Sequence, residues 1–310
     1  MGFSRIMKTA ELARSITRNG SKQTYVTARL MVDREFVDDF LSAYAYFRWV
    51  DDVIDVYSLS DQERIAFMER QKIIIEGLFN GETFEDLSEE EKIIANLIRH
   101  RSPKDEGLAS FIRNMLAIID FDAHRKGRLI KRNELAWYTE RLGISVTDGI
   151  QYFIGHGHSY SKTSEQYLAA TAAHITHLLR DMLLDIADGF INIPMEYLLA
   201  HNIDPNDYTT QAFRAWVKDR VELARQMFIE GKRYLDRLDV LRCKIVGYWY
   251  CARFEGVLDL IERDDYILRE VYNERRNIAT HLKIGWIGIS VTLRHLFRKL
   301  TSMISPQSIR

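Results

Sequence analysis

Hydrophobic residues recur along most of the chain at intervals of three and four positions, which is the spacing of one face of an α-helix. No segment of the sequence shows the sustained apolar–polar alternation, rich in β-branched residues, that is typical of strands. The pattern therefore predicts an all-α protein. We expect helices over residues 4–18, 33–57, 61–79, 88–101, 107–125, 132–154, 163–188, 209–237, 239–263 and 266–300, the last with a break near Gly285.

The predicted helices follow one another without an internal repeat, a low-complexity linker or a shift in composition. Residues 1–310 are therefore interpreted as a single domain. Gly189 directly follows the helix that is predicted to reach residue 188, and Pro194 comes shortly after it. Because glycine and proline are typical of these positions after a helix, we expect this helix to end there.

Charge and cysteine content narrow the class of protein. The net charge is −1, and the isoelectric point is near 6.8, so nothing suggests a nucleic-acid partner. Cys243 and Cys251 are too far apart on one predicted helix to form a disulfide, and two unpaired thiols fit a reducing compartment. The first residues lack the apolar run of a signal peptide, and no stretch is long enough to span a membrane. We therefore expect a cytoplasmic location.

The C-terminal part of the sequence is basic. Residues 275–310 contain no aspartate or glutamate. The basic residues there are Arg275, Arg276, Lys283, Arg294, Arg298, Lys299 and Arg310. One interpretation of this tail, residues 281–310, is a solvated helix with a frayed end. The other is peripheral contact with a membrane that contains anionic lipids.

One predicted helix carries three aspartates among apolar and aromatic residues, in the segment YAYFRWVDDVID (residues 44–55). Asp51 and Asp55 lie on one face because they are four positions apart, and Asp52 stands beside them. Arg48 precedes this pair by about one turn. Like charges at this spacing repel, so the face predicts a compensating cation.

A second predicted helix repeats this arrangement, in the segment LLRDMLLDIADG (residues 178–189). Asp181 and Asp185 are again four positions apart, and Arg180 directly precedes them. Asp188 continues the same face but lies next to the expected helix end, so we expect it to be mainly structural.

Paired carboxylates on facing helices could hold two or three hard divalent ions such as Mg²⁺, which leave coordination sites open for phosphate oxygens. The candidate metal ligands are Asp51, Asp52, Asp55, Asp181 and Asp185. Arg48 and Arg180 would contact a diphosphate directly. Metal ions and arginines together stabilise diphosphate as a leaving group. The neighbours of these residues, among them Tyr44, are aromatic and aliphatic, which suggests an isoprenoid chain and a carbocation stabilised by ring faces.

Several segments together resemble the squalene/phytoene synthase family over roughly residues 20–280. YAYFRWVDDVID is similar to the first aspartate-rich motif of that family, and LLRDMLLDIADGFINIP is similar to the second. SKQTY (residues 21–25) resembles the stretch that begins the diphosphate pocket. ELAWYTERLGISV (residues 134–146) matches the tyrosine-bearing helix, and VLDLIERDDY (residues 257–266) resembles a late helix.

The resemblance implies an isoprenoid synthase fold, a helical bundle around a central cavity. It implies Mg²⁺-dependent, head-to-head condensation of two prenyl diphosphates, C15 or C20, to a squalene- or phytoene-type product. NADPH is needed only by squalene-forming members, and the sequence does not indicate which case applies. Tyr138 matches the family tyrosine that handles protons or stabilises cations, and Thr24 and Tyr25 lie at the diphosphate pocket. The enzyme would be a monomer or a homodimer.

Four positions around the second aspartate motif depart from the family pattern, and Thr147 replaces a glycine of the segment that ends the tyrosine-bearing helix. His174 and His177 stand where the family usually has amides, Leu184 replaces an acid, and Phe190 replaces an arginine. The two histidines share a face with Asp181 and are candidate substrate contacts. These changes keep open a terpene cyclase that ionises and cyclises one prenyl diphosphate. A non-catalytic assembly protein with the same fold is a further alternative, although it would not need intact aspartate pairs.

Asp120 and Asp122 are a further acidic pair. They are two positions apart, so they cannot both point at one site on a helix. Asp122 matches a position that is often acidic in the family, and its role is left open.

Overall fold

The computed structural model describes residues 2–55, 59–101, 106–272 and 278–304, and these residues are overwhelmingly helical. The helices are α1 (Gly2–Gly20), α2 (Lys22–Met31), α3 (Val37–Ile54), α4 (Asp61–Phe79), α5 (Glu89–His100), α6 (Glu106–Arg125), α7 (Arg132–Ile154), α8 (Leu168–Ala187), α9 (Met195–His201), α10 (Gln211–Arg237), α11 (Leu241–Arg263) and α12 (Ile278–Ile304). Two short strands, β1 (Leu129–Ile130) and β2 (Ile191–Pro194), are the extended segments of the described residues. The all-α prediction is confirmed.

Side-chain caps explain where several helices begin. The Ser60 and Ser88 hydroxyls each accept a hydrogen bond from the backbone N–H three residues on, and the Glu63 and Glu91 carboxylates each accept one from the backbone N–H of the cap residue. These reciprocal bonds form capping boxes, which satisfy backbone N–H groups that a helix start would otherwise leave without partners. The predicted start of α4 is therefore correct to the residue, and that of α5 is correct within one.

Two helices, α2 and α9, were not predicted. Ser21 caps α2 by accepting a hydrogen bond from the backbone N–H of Thr24 at 3.1 Å. The Gly20–Ser21 turn therefore starts a helix rather than a loop. The seven-residue α9 is too short to give a clear periodic pattern in sequence. The expected helices at 33–57 and 163–188 begin later than predicted, at Val37 and Leu168.

The prediction of one helix over 266–300 was wrong at its start. Asp265 and Tyr266 have φ of 53° and 62°, and a right-handed helix cannot pass through two left-handed residues. The expected break near Gly285 was also wrong, because α12 runs through it. A single glycine costs a helix only about 1 kcal/mol. Of the basic tail residues, Arg275, Arg276 and Arg310 lie outside the described residues.

The chain packs as two compact units, Met1–Gly157 and His158–Arg310. In the first unit, α3 packs against α1, α5 and α6, and α6 packs along α7. Leu41, Tyr46 and Val50 of α3 are buried in this core. α3 also carries the first aspartate motif. Its contacts with α1, α5 and α6 explain why the face that points into the core is apolar. The expectation of a single domain stays a prediction.

In the second unit, α8 packs against α10, α11 and β2, and α11 packs against α12. The first half of α8 is rich in alanine, and Gly231 of α10 lies directly on the backbone at Ala169. Small residues at this crossing let the two helices approach closely. The helix that carries the second aspartate motif is thereby fixed to α10.

Two further sequence predictions concern the cysteines and membrane spans. Cys243 and Cys251 are both buried on α11 and form no disulfide with each other. No helix in the described ranges is both long enough and apolar enough to cross a membrane.

Candidate active site

The first aspartate motif occupies the last turns of α3. Arg48 forms an ion pair with Asp52, and its Nη1 atom lies 3.7 Å from Oδ2 of Asp51. All three side chains are roughly half exposed, with 44 % of Arg48 and 45 % of Asp51 accessible to solvent. Asp55 is the C-cap residue of the same helix, and its backbone N–H donates to the carbonyl of Asp51 at 3.1 Å. The structure thus places the predicted residues of this motif at one helix end.

The carboxylates of this motif repel one another. Partial burial raises the pKa of Asp51 to about 7, and the negative charges of Asp55 and Asp122 add to the shift, while Arg48 opposes it. Burial and the neighbouring carboxylates together thus disfavour the charged form of Asp51 by more than Arg48 favours it. Oxygen ligands with excess negative charge are those that Mg²⁺ prefers, so the residues fit a divalent cation.

A buried polar cluster that includes Asp122 lies beside this motif, between α6 and α7. Tyr138 donates a hydrogen bond from its hydroxyl to Oδ2 of Asp122 at 2.7 Å, and Arg125 donates from Nε to Oδ1 at 2.6 Å. Tyr138 is 6 % exposed, and Arg125 is 3 % exposed. Burial and the Asp122 charge raise the pKa of Tyr138 well above its usual value, so its hydroxyl stays protonated at neutral pH. Asp120 points elsewhere, toward Lys72 at 3.4 Å, as the spacing predicted.

Arg125 was missed by sequence reasoning. Its signal was the i, i+3 spacing from Asp122 in the segment DFDAHR, which places the two residues on one helix face. The guanidinium carbon of Arg125 also lies 4.8 Å from the centre of the Tyr138 ring. Arg125 therefore holds both the carboxylate and the phenol in place.

The start of α2 lies next to Arg48 and Tyr44. A Cβ atom added to Gly20 would be 3.5 Å from both the Tyr44 hydroxyl oxygen and Cγ of Arg48. Thr24 and Tyr25 are half-buried in the first turn of this helix. The residue before the SKQTY segment is thus brought to Arg48, and the N-terminus of α2 favours an anion there. The contacts of Thr24 and Tyr25 with a diphosphate stay a prediction.

The second aspartate motif lies in the last turns of α8. Arg180 donates from Nε to Oδ1 of Asp181 at 2.7 Å and from Nη2 to Oδ2 at 2.5 Å. Nε2 of His177 lies 2.8 Å from Oδ2 of the same carboxylate. Burial alone would raise the pKa of Asp181, but the hydrogen bonds from Arg180 and His177 hold it well below its usual value. The two motifs thus present opposite electrostatic states: Asp181 is stabilised as an anion, whereas Asp51 is not.

Asn192, which follows the end of α8, contacts the second aspartate motif. The Phe190 N–H donates to the carbonyl of Asp185 at 2.7 Å, and Gly189 has a φ of 90°, so the helix ends in a Schellman motif as predicted. This turn reverses the chain into β2, where Asn192 is fully buried. Nδ2 of Asn192 donates to Oδ2 of Asp185 at 2.8 Å.

Asn192 was also missed by sequence reasoning, although it lies inside the quoted segment GFINIP. A polar residue in a short apolar run directly after a helix stop was the available signal. Asp188 is the C-cap residue of α8, and its mainly structural role stays a prediction.

The four departures from the family pattern lie around this motif. His174 is buried, and its ring centre is 6.4 Å from that of His177. The His177 ring is in turn 6.2 Å from the ring of Phe254 on α11. Leu184 is 52 % exposed, and Phe190 is half-buried. His177 is therefore the altered position that contacts a predicted metal ligand.

Neither motif forms a complete metal site by its own side chains. Within the ranges that the structure describes, no three His, Cys, Asp or Glu side chains converge closely enough to hold a metal ion. A cation at either motif would therefore need further oxygen ligands, such as water or phosphate. Mg²⁺ is commonly bound in this way, through one or two carboxylates and a substrate phosphate.

The sequence of this chain matches a known protein family and a characterised relative. The squalene/phytoene synthase family model matches residues 17–278, most of the chain. The 15-cis-phytoene synthase of Synechocystis sp. is 24 % identical in an alignment that covers 91 % of this chain and 85 % of that protein. Phytoene synthases are prenyltransferases.

Solved structures agree in fold. The squalene synthase HpnC of Alicyclobacillus acidocaldarius superposes with a TM-score of 0.64 at 19 % identity, over 84 % of this chain and 96 % of that one. A dehydrosqualene synthase crystallised with a ligand gives a TM-score of 0.61 at 12 % identity, over 94 % and 98 % of the two chains. The fold is thus that of the isoprenoid synthases. The family match spans both aspartate motifs and nearly the whole predicted range of residues 20–280, and we conclude that the chain belongs to the squalene/phytoene synthase family.

Proposed function

We propose that this protein condenses two prenyl diphosphates head to head to a squalene- or phytoene-type hydrocarbon, in a reaction that requires a divalent cation. Family membership supports the reaction class. The observation that carries the proposal is the cluster of three carboxylates, Asp51, Asp52 and Asp55, at the end of α3, where the pKa of Asp51 and of Asp55 stays raised despite Arg48 and Lys126. This excess negative charge is suited to bind a cation rather than to stabilise the fold.

The proposal assigns the metal to carboxylate oxygens. The residues that would hold Mg²⁺ are Asp51, Asp52, Asp55, Asp181 and Asp185. When bound, Mg²⁺ would neutralise diphosphate oxygens and so make diphosphate a better leaving group. Asn192 orients the Asp185 carboxylate by its hydrogen bond, and such partners of ligands commonly tune metal affinity.

Diphosphate binding is assigned to Arg48 and Arg180, with Thr24 and Tyr25 at the start of α2. Tyr44 lies beside Arg48 and Gly20, so it would contact the same end of the substrate. The neutral Tyr138 hydroxyl is turned toward Asp122, and we assign it to stabilising or positioning charge near the first motif rather than to acting as a base.

The test is incubation with prenyl diphosphates of ten, fifteen and twenty carbons plus Mg²⁺, with diphosphate release and extracted products measured. Asp51→Asn and Asp181→Asn should each slow diphosphate release by at least about tenfold, or ~1.4 kcal/mol of barrier. Asp38→Asn is the control on α3, because Asp38 forms an exposed pair with Arg14, outside the aspartate motif. Asp188→Asn is the control on α8. Full activity in both test variants would refute the two-motif assignment.

A cyclase is the second candidate, and the contact between His177 and Asp181 favours it. A histidine at this place is bulkier than an amide and carries a basic ring nitrogen, so it could remove a proton from a cyclised cation. A cyclase would release diphosphate and form product from a single prenyl diphosphate, with one diphosphate per product molecule. A head-to-head synthase would release two for each product.

A further inference from the structure

The outward face of α12 is apolar. Six large hydrophobic side chains of this helix are each at least half exposed: Trp286, Ile289, Leu293, Leu296, Phe297 and Leu300. Among the side chains whose exposure the structure describes, no other helix has more than two exposed large hydrophobic residues. Together the six form a patch on the order of several hundred Å², a size that typically marks an interaction site.

The six residues lie on one side of the helix. At about 100° per residue, they fall within an arc of roughly 100°. We call this stripe the α12 apolar face. Arg294 and Lys299 lie at its two edges, and the sequence of α12 contains no acidic residue. This is the pattern of a helix that lies in a membrane surface, with long basic side chains reaching back to the headgroups.

The opposite side of α12 is fixed to the protein. Val291 and His295 are 1 % and 3 % exposed. Nζ of Lys244, on α11, lies 3.5 Å from Nδ1 of His295. Arg298 donates to the carbonyl oxygen of Asp236 at 2.6 Å and to Oδ1 of Asp239 at 2.7 Å. The helix is therefore held in a set orientation, and its apolar face points outward in the described structure.

We propose that the α12 apolar face binds the surface of a bilayer that contains anionic lipids. The basic edges complement negative headgroups, and the exposed Trp286 suits the boundary between headgroups and acyl chains. Insertion across the bilayer is not part of the proposal, since no described helix is long and apolar enough. A second copy of this face fits less well, because two copies would bring basic edges together with no acid on α12 to pair them.

This inference does not depend on the proposed reaction. It rests on the exposure of six residues, the charges at their edges and the buried contacts of the opposite side. The membrane contact that the sequence suggested for the basic tail, residues 281–310, is thus proposed for one face of α12.

The experiment is flotation of the full chain with vesicles of equal parts phosphatidylcholine and phosphatidylglycerol, and with vesicles of phosphatidylcholine alone. We expect binding to the anionic vesicles, weakened by high salt because screening shortens the reach of charge. Leu293→Glu combined with Phe297→Glu should reduce this binding by at least about tenfold. The matched control is Leu199→Glu on α9, where Leu199 is 71 % exposed and outside the face.

Circular dichroism checks that the double variant is folded. Should it unfold, Arg294→Gln combined with Lys299→Gln replaces it, and this pair should lower binding to anionic vesicles without removing apolar area. Absence of binding by the wild-type chain to anionic vesicles would overturn the proposal, as would equal binding by wild type and a folded test variant. A dimer in solution that the Leu293→Glu and Phe297→Glu changes dissociate, without lipid binding, would assign the face to a second copy instead.

Discussion

The crossing of α8 and α10 gives a sharp test of how the second motif is held. Gly231 of α10 lies so close to α8 that a Cβ atom there would be 2.7 Å from Cβ and 2.8 Å from Cα of Ala169, and closer still to its backbone nitrogen. Ordinary contacts between such atoms are about 3.5–4.0 Å. Gly231→Ala therefore requires the helices to separate by about 1 Å, since backbone atoms cannot turn aside.

The expected change in the free energy of unfolding is the difference of two contributions. Overpacking in a core typically costs about 1–3 kcal/mol, and a rigid backbone clash belongs to the upper part of that range. Alanine in a helix interior gains about 1 kcal/mol over glycine. The free energy of unfolding should therefore fall by about 1–2 kcal/mol.

Gly256 provides the matched control. It lies in the interior of α11, in the same unit, and a Cβ atom there would meet nothing within 4 Å. Gly256→Ala should therefore raise the free energy of unfolding by up to about 1 kcal/mol, because only the helix-propensity term applies.

Thermal and denaturant unfolding, followed by far-UV circular dichroism, measures the free energy of unfolding of both variants. Diphosphate release, measured below both melting temperatures, reports whether the shift at Ala169 reaches the motif further along α8. If Gly231→Ala is as stable as Gly256→Ala, the helices are not packed as closely as the structure indicates, and the reasoning is refuted.

Three further predictions concern single side chains. Tyr46→Phe should lower the free energy of unfolding by about 1–2 kcal/mol in denaturant titrations, because the buried Tyr46 hydroxyl donates to Oε1 of Gln71 at 2.8 Å; an unchanged midpoint would contradict this. The pKa of Asp51 is raised in the folded protein to about 7, so its contribution to stability is complete below its unfolded pKa and is lost as the pH rises through 7. Melting temperatures of metal-free Asp51→Asn should exceed those of wild type at pH 8, and a lower value would argue against the repulsion among these carboxylates. His177→Asn should change the product distribution or preferred chain length while diphosphate release largely persists, as judged by mass spectrometry of extracts; identical products at an identical rate would reduce His177 to packing.

Helix positions could be predicted well where the periodic pattern coincides with a local start or stop. α4 and α7 match their predicted ranges, and the capping box at Ser60 explains the first of these. The stop at Gly189 was readable because a left-handed residue favours glycine. The left-handed pair Asp265 and Tyr266 was not readable, since neither residue is a glycine and the pattern continues through them.

The candidate site was predictable along each helix but not across helices. Arg48 with Asp52 and His177 with Asp181 are i, i+4 pairs, and periodicity alone brings them together. The contacts of Asp122 with Tyr138 and of Asn192 with Asp185 depend on how α6 meets α7 and on how the chain turns after α8. Such contacts depend on tertiary packing, which cannot be predicted from the spacing of residues along a single sequence.

The pairing of Arg180 with Asp181 has a thermodynamic consequence. Both carboxylate oxygens of Asp181 accept hydrogen bonds from the guanidinium of the preceding residue. A cation that binds these oxygens competes with Arg180 for them, and where it displaces the arginine, part of its binding free energy is spent on breaking the pair. The displaced guanidinium is then available to an anion. Cation and anion should therefore bind with positive cooperativity, each tightening the other by the same factor because such coupling is reciprocal. Adjacent residues of opposite charge would in this way discourage either ligand from occupying the motif alone.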